Sequence, residues 1–79
     1  MASLRTLTQG TSGGSAHPTE VDAIWRVLQS DNGGRIFQLD TFGSDHRQSH
    51  PKVSQTFQIN EARAGELLTA LRATFPNLK

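Results

Sequence analysis

Residues 35–59, RIFQLDTFGSDHRQSHPKVSQTFQI, constrain the fold of this chain more than any other stretch, because two strand-like runs flank a polar segment that can continue neither. A period of two sends successive side chains to opposite faces, so each run reads as a strand with one side turned toward a core. In the second run Val53, Gln55, Phe57 and Ile59 share one side, and Lys52, Ser54, Thr56 and Gln58 share the other. The run AIWRVLQS at residues 23–30 precedes them and is followed by Asp31-Asn32-Gly33-Gly34. Asn and Gly tolerate positive φ, so this tetrapeptide signals a hairpin and decides for a strand rather than a short helix before it. A three-residue loop of Asn32, Gly33 and Gly34 pairs Asp31 with Arg35, Arg26 with Asp40 and Val27 with Leu39. It places Trp25, Val27, Phe37 and Leu39 on one face, whereas a two-residue loop mixes polar and apolar side chains on both.

After the last strand, Asn60 has the short polar side chain that caps a helix, and Glu61 follows at the positive end of the helix dipole. Ala64, Leu67, Leu68, Leu71 and Phe75 fall on one stripe at helical spacing, and Pro76 ends the helix. Gly65, with Ala62 and Thr69 near it, makes a small-residue surface suited to close approach of another backbone. The expected fold is therefore α+β: a small antiparallel sheet of three to four strands, in the order β-β-β-α, covered on one face by the C-terminal helix. Residues 20–79 make this single domain. Residues 1–19 are rich in Ser, Thr and Gly and read as a flexible N-terminal tail; a short extra strand with Leu4, Thr6 and Thr8 set against Arg5 and Leu7, docked on a sheet edge or a partner subunit, is the alternative.

At 79 residues with no cysteine, the chain is near the lower limit for a free-standing core and has no disulfide to compensate, which favours self-association. The absence of Cys excludes thiol chemistry and fits a cytoplasmic location, and no apolar run is long enough to span a membrane. Eight Lys and Arg against seven Asp and Glu give a net charge of +1, so nucleic-acid binding needs a local basic patch rather than a global field.

The sheet face away from the helix is expected to carry Arg26, Gln38, Asp40, Lys52, Ser54, Thr56 and Gln58, with Ile24, Leu28, Ile36 and Phe42 among them. Such a mixture suits a binding face, in which apolar groups support bases or a partner while amides, hydroxyls and cations supply hydrogen bonds. The order of hairpin, third strand and helix, with RIFQLDTF, a polar loop, KVSQTFQIN and then the helix, resembles the single-stranded-DNA-binding domain of the positive cofactor four transcriptional coactivator family and its small bacterial relatives. The likeness covers about residues 23–75, with Lys52-Val53-Ser54 standing where that family has a Lys-Gly pair in its third strand. The resemblance implies homodimers in which helices pair and curved sheets grip single strands. It further implies that Arg26, Arg35, Arg47 and Lys52 contact phosphates, with Trp25 or Phe42 available for stacking. Ser54 and Gln58 complete the nucleic-acid-binding set as hydrogen-bonding groups of the open face.

Residues 43–51, GSDHRQSHP, hold the densest polar chemistry, including the metal-capable Asp45, His46 and His50. Gly43, Ser44 and Pro51 read as loop, however, so His46 and His50 lack the shared helical face that would aim both at one metal. His46 beside Asp45 or Asp40 and Ser44 or Ser54 makes only a superficial triad, and so small a domain has little room for a water-excluded pocket. The sequence thus predicts no enzyme, no cofactor and no metal. Arg26 with Asp40 and Asp31 with Arg35 read as cross-strand ion pairs that set register. Arg63 and Arg72 read as a solvated helix face. Two functions remain: a dimeric module for single-stranded DNA or RNA, and a protein-interaction module, adaptor or inhibitor, using a sheet edge or the helix surface around Gly65.

Overall fold

Alternation over residues 35–42 and 53–59 becomes the centre of a four-stranded sheet in the computed structural model, which describes residues 1–43 and 52–79. The elements are β1 (Ala2–Ser3), β2 (Ala23–Gln29), β3 (Arg35–Phe42), β4 (Val53–Ile59) and α1 (Glu61–Thr74), and the strand order is β1-β4-β3-β2. Antiparallel pairing joins β2 to β3 and β3 to β4, while β1 runs parallel to β4. The α+β class and the final helix are those the periodicities predict. The fourth strand comes from the N-terminal residues, where Ala2 lies beside Phe57, Ser3 beside Gln58, and the Leu4 N–H donates to the Gln58 carbonyl at 2.9 Å.

The hairpin has a three-residue loop, but a different one from that expected. The Ser30 N–H donates to the Gly34 carbonyl at 2.7 Å and the Gly33 N–H to the Ser30 carbonyl at 3.0 Å, so the loop is Asp31-Asn32-Gly33. Gly33 takes φ of +89°, the left-handed position that a side chain disfavours, whereas Gly34 lies just before β3, opposite Ser30. The Asn32 side chain accepts from the Gly34 N–H at 3.2 Å and from the Ser30 hydroxyl, closing the turn from inside. Moving the loop back by one residue shifts the pairing by two, to Trp25 with Leu39, Arg26 with Gln38 and Val27 with Phe37. A shift of two preserves the faces, so Trp25, Val27, Phe37 and Leu39 do share one side.

Asn60 caps α1 as its side chain predicts, its Oδ1 accepting from the Arg63 N–H at 2.9 Å. The Phe75 N–H makes the last helical bond to the Leu71 carbonyl at 2.8 Å, and Phe75 itself, at φ −121° and ψ 88°, has left the helical region that the following proline disfavours. The stripe on α1 covers much less of the sheet than expected. Ala64 and Leu67 are half-buried over Phe37 and Ile59, but Leu68, Leu71 and Phe75 stand exposed, as do Trp25 and Val27 on the sheet below. Ile59, 3% exposed, is the one buried hydrophobic side chain among the described residues.

Arg63 departs from the solvated role its position suggested. Its Nη1 donates to the Arg5 carbonyl at 2.6 Å, tying the tail to the helix, and its Nε lies 2.6 Å from Glu66 Oε1, an ion pair by distance without the angle of a hydrogen bond. Leu7, Thr8 and Gln9 continue beside Glu66, Ala70 and Ala73 of α1.

Candidate binding surfaces

The register of β3 against β4 sets Gln38 opposite Gln58 and Asp40 opposite Thr56, on the face away from α1. Polar residues two apart on each strand thereby form two facing rows, and their side chains join into one chain of hydrogen bonds. Gln58 Nε2 donates to Gln38 Oε1 at 2.8 Å, and Gln38 Nε2 donates to Asp40 Oδ1 at 3.0 Å. The Thr56 hydroxyl donates to the same Asp40 Oδ1 at 2.6 Å, and Arg26 Nη2 lies 3.1 Å from Asp40 Oδ2. The Arg26–Asp40 pair anticipated from sequence thus exists, but as a diagonal contact, since Arg26 is opposite Gln38 and Asp40 opposite Ile24. The companion pair is absent: Arg35 faces Gln29, and Asp31 lies in the turn.

Asp40 is the hub of this network and only 2% exposed. The hydrogen bond from Thr56 holds its carboxyl below the usual carboxylate range, helped by the Gln38 amide and the Arg26 guanidinium and opposed by desolvation. An ionised, fully paired carboxylate is therefore built into the face, and it neutralises the cation nearest to it. Half of the Arg26 side chain remains exposed, leaving other guanidinium donors free to meet a ligand.

The remaining members of the expected nucleic-acid set do not converge. Gln58 lies on the open face but spends one donor on Gln38. Phe42, half-buried, ends β3 beside an irregularity where Thr41 pairs with Gln55 and Phe42 with Val53, and Ser54 is the residue left without a partner. Lys52 is exposed, its carbonyl accepting from the Gly43 N–H at 3.3 Å. Arg35 shares the parity of Phe37 and therefore lies on the opposite face, lining an open cleft with Val27, Ile59 and Ala64. Arg47 lies outside the described residues, as do Asp45, His46 and His50. Trp25 stacks on Phe37 with ring centroids 5.6 Å apart, on the α1 side of the sheet and away from Phe42.

The second surface is apolar. Trp25 is 63% exposed and Val27 56%, and together with Leu68, Leu71 and Phe75 they leave the α1 side of the molecule uncovered. The accessible surface of the chain is 7137 Å², against about 4,700 Å² for a compact monomer of this mass. Its radius of gyration is 14.9 Å, against about 12 Å for a compact domain of this length. Both excesses fit a chain with exposed tail residues and exposed apolar side chains on its α1 side. Sequence reasoning missed this because helical spacing identifies which side chains can be buried without fixing how closely the helix approaches the sheet. No helix among the described residues is long and apolar enough to cross a membrane. No protein-family model, curated protein or solved structure matches the chain.

Proposed function

We propose that this chain is a non-enzymatic protein-interaction module that acts as a homodimer, a second copy burying part of the apolar surface its sheet and helix leave exposed. The observation that carries this reading is the exposure of Trp25, Val27, Leu68, Leu71 and Phe75 where, among the described residues, Ile59 is the single buried hydrophobic side chain. Apolar surface of that extent on a small soluble domain marks an association site, and covering it supplies the core that so short a chain lacks. Sedimentation equilibrium from 1 to 100 µM is the test. A dimer mass over that range supports the reading, and a monomer that keeps its near-ultraviolet Trp25 signal at 100 µM overturns it.

A second reading, single-stranded DNA or RNA on the polar face, is favoured by one observation: Asp40 holds the Arg26 guanidinium on that face with half of the side chain free. Phosphate contact by Arg26 and Lys52, with stacking on Phe42 and hydrogen bonds from Gln58, is the form this takes, and the likeness to the coactivator domain agrees with it. Arg26 is already partnered and Arg35 lies on the other face, so the positive potential is weak, and for that reason this reading stands second. Anisotropy of labelled single strands at two salt concentrations tests it. Binding that falls steeply with salt and is lost in Arg26→Ala/Lys52→Ala supports it, whereas no binding at low salt removes it.

A further inference from the structure

We propose that the second copy joins along β2, edge to edge and antiparallel, so that two four-stranded sheets become one continuous sheet. This rests on the self-association reading and specifies its geometry.

The two edges of the sheet differ. Beyond β4, β1 supplies a partner strand at Phe57 and Gln58. Beyond β2 no described strand follows. The bonds from Ser30 N–H to the Gly34 carbonyl and from Phe42 N–H to the Asp22 carbonyl fix which residues of the hairpin face inward. By the alternation of antiparallel pairing, Ile24, Arg26 and Leu28 bond to β3, and the N–H and C=O groups of Ala23, Trp25, Val27 and Gln29 point to the free edge.

Soluble proteins blunt such edges with proline, lysine, bulges or very short strands. β2 is seven residues long, contains no Pro or Lys and pairs with β3 without interruption. Its one charge, Arg26, is held by Asp40. Ile24 on one face and Trp25 and Val27 on the other are all exposed, so an added strand buries side chains on both sides as well as satisfying the backbone.

Geometry selects a second copy over a peptide. The twofold axis of an antiparallel edge pair stands perpendicular to the sheet, so like faces stay on the same side. Trp25 and Val27 of both copies then lie next to each other between the two α1 helices, and both uncovered apolar surfaces become one. A single added peptide strand satisfies the edge but brings no second Trp25 and Val27 and no second α1 to the apolar side. Obligate homodimers bury roughly 2,000–5,000 Å² in total. The surface of each chain exceeds that of a compact monomer by about 2,400 Å², and the part of it on Trp25, Val27, Leu68, Leu71 and Phe75 is what such an interface can draw on.

Backbone amide exchange on the full chain, run beside sedimentation of the same sample, is the test. The expected result is a dimer in which the Trp25, Val27 and Gln29 amides exchange at least a hundredfold more slowly than unstructured amides and lose that protection on dilution to monomer. A dimer whose outward amides exchange freely overturns edge pairing while leaving self-association standing, and a monomer overturns both. Val27→Pro removes an outward N–H without touching a bond to β3, so it should convert dimer to monomer with the inward amides of Arg26 and Leu28 still protected. A folded Val27→Pro chain that remains dimeric also overturns the proposal, and if that variant does not fold, the exchange pattern of the unmodified chain decides alone.

Discussion

On one side of β3 the side chains of Gln38 and Asp40 are surrounded by partners, and on the other Phe37 and Leu39 stand beside Trp25 and Val27 with much of that surface open. Gln38 and Asp40 are therefore buried more completely than Trp25 and Val27. The difference follows from reach. Polar side chains on adjacent strands satisfy one another within the sheet, whereas an apolar face needs a second layer, and α1 meets that face only around Phe37 and Ile59. One copy of this chain satisfies the centre of its polar side alone and covers its apolar side only in part.

The largest effect should come from breaking the apolar side. Leu71→Asp places a carboxylate where the second copy is expected, and it should weaken association by about a hundredfold or more, on the order of 3 kcal/mol. Sedimentation of the variant at several concentrations checks this. In the unmodified chain the thermal midpoint should rise with protein concentration, and in the variant it should not, because only association links folding to mass action.

The next effect tests the polar side. The carboxyl of Asp40 has a lowered affinity for protons in the folded state, so the unfolded chain binds the proton more tightly. Its contribution to stability is therefore present above the unfolded value, about 3.9, and is lost as pH falls through the lower folded value. Urea midpoints measured from pH 6 to 2 should decline at the acid end, and Asp40→Asn should lower the midpoint at pH 6 and flatten that decline. An unchanged acid slope in the variant would show that other carboxylates govern it.

Smaller effects sharpen the contrast by acting away from both faces. Asn60→Ala leaves the Arg63 N–H without its cap and should cost about 1 kcal/mol of stability by urea titration, with the dimer mass unchanged. Arg63→Ala removes the link to Arg5 and the pair with Glu66, and should cost no more than about 1 kcal/mol while speeding amide exchange at Leu4.

Much of this architecture was legible in the sequence because its signals are local. Period-two alternation marked β3 and β4, Asn60 marked the start of α1, and the Asn-Gly turn marked the hairpin. The error in hairpin pairing arose at one residue, since either Gly33 or Gly34 could take the left-handed position and only the folded backbone distinguishes them. The hydrogen-bonded chain through Gln58, Gln38, Asp40 and Thr56 went unseen for a different reason. Its four residues looked like scattered polar positions until the register of β3 against β4 aligned them, and that register depends on a connection whose length alone does not set it. Facing pairs of polar residues two apart, 38 with 40 and 56 with 58, were the available sign. How little of the sheet α1 covers was not legible at all, because helical spacing says nothing about standoff distance.

The docking of Ala2–Ser3 against β4 carries a consequence for the order in which the chain is built. Leu4 bonds to Gln58 and Arg5 to Arg63, so the contacts of the first few residues span most of the sequence. Those residues leave the ribosome before their partners exist, and they can settle only once β4 and the start of α1 have followed them out. During synthesis the outer edge of β4 therefore appears while residues 2–5 are still loose, and competition for that edge ends when they dock.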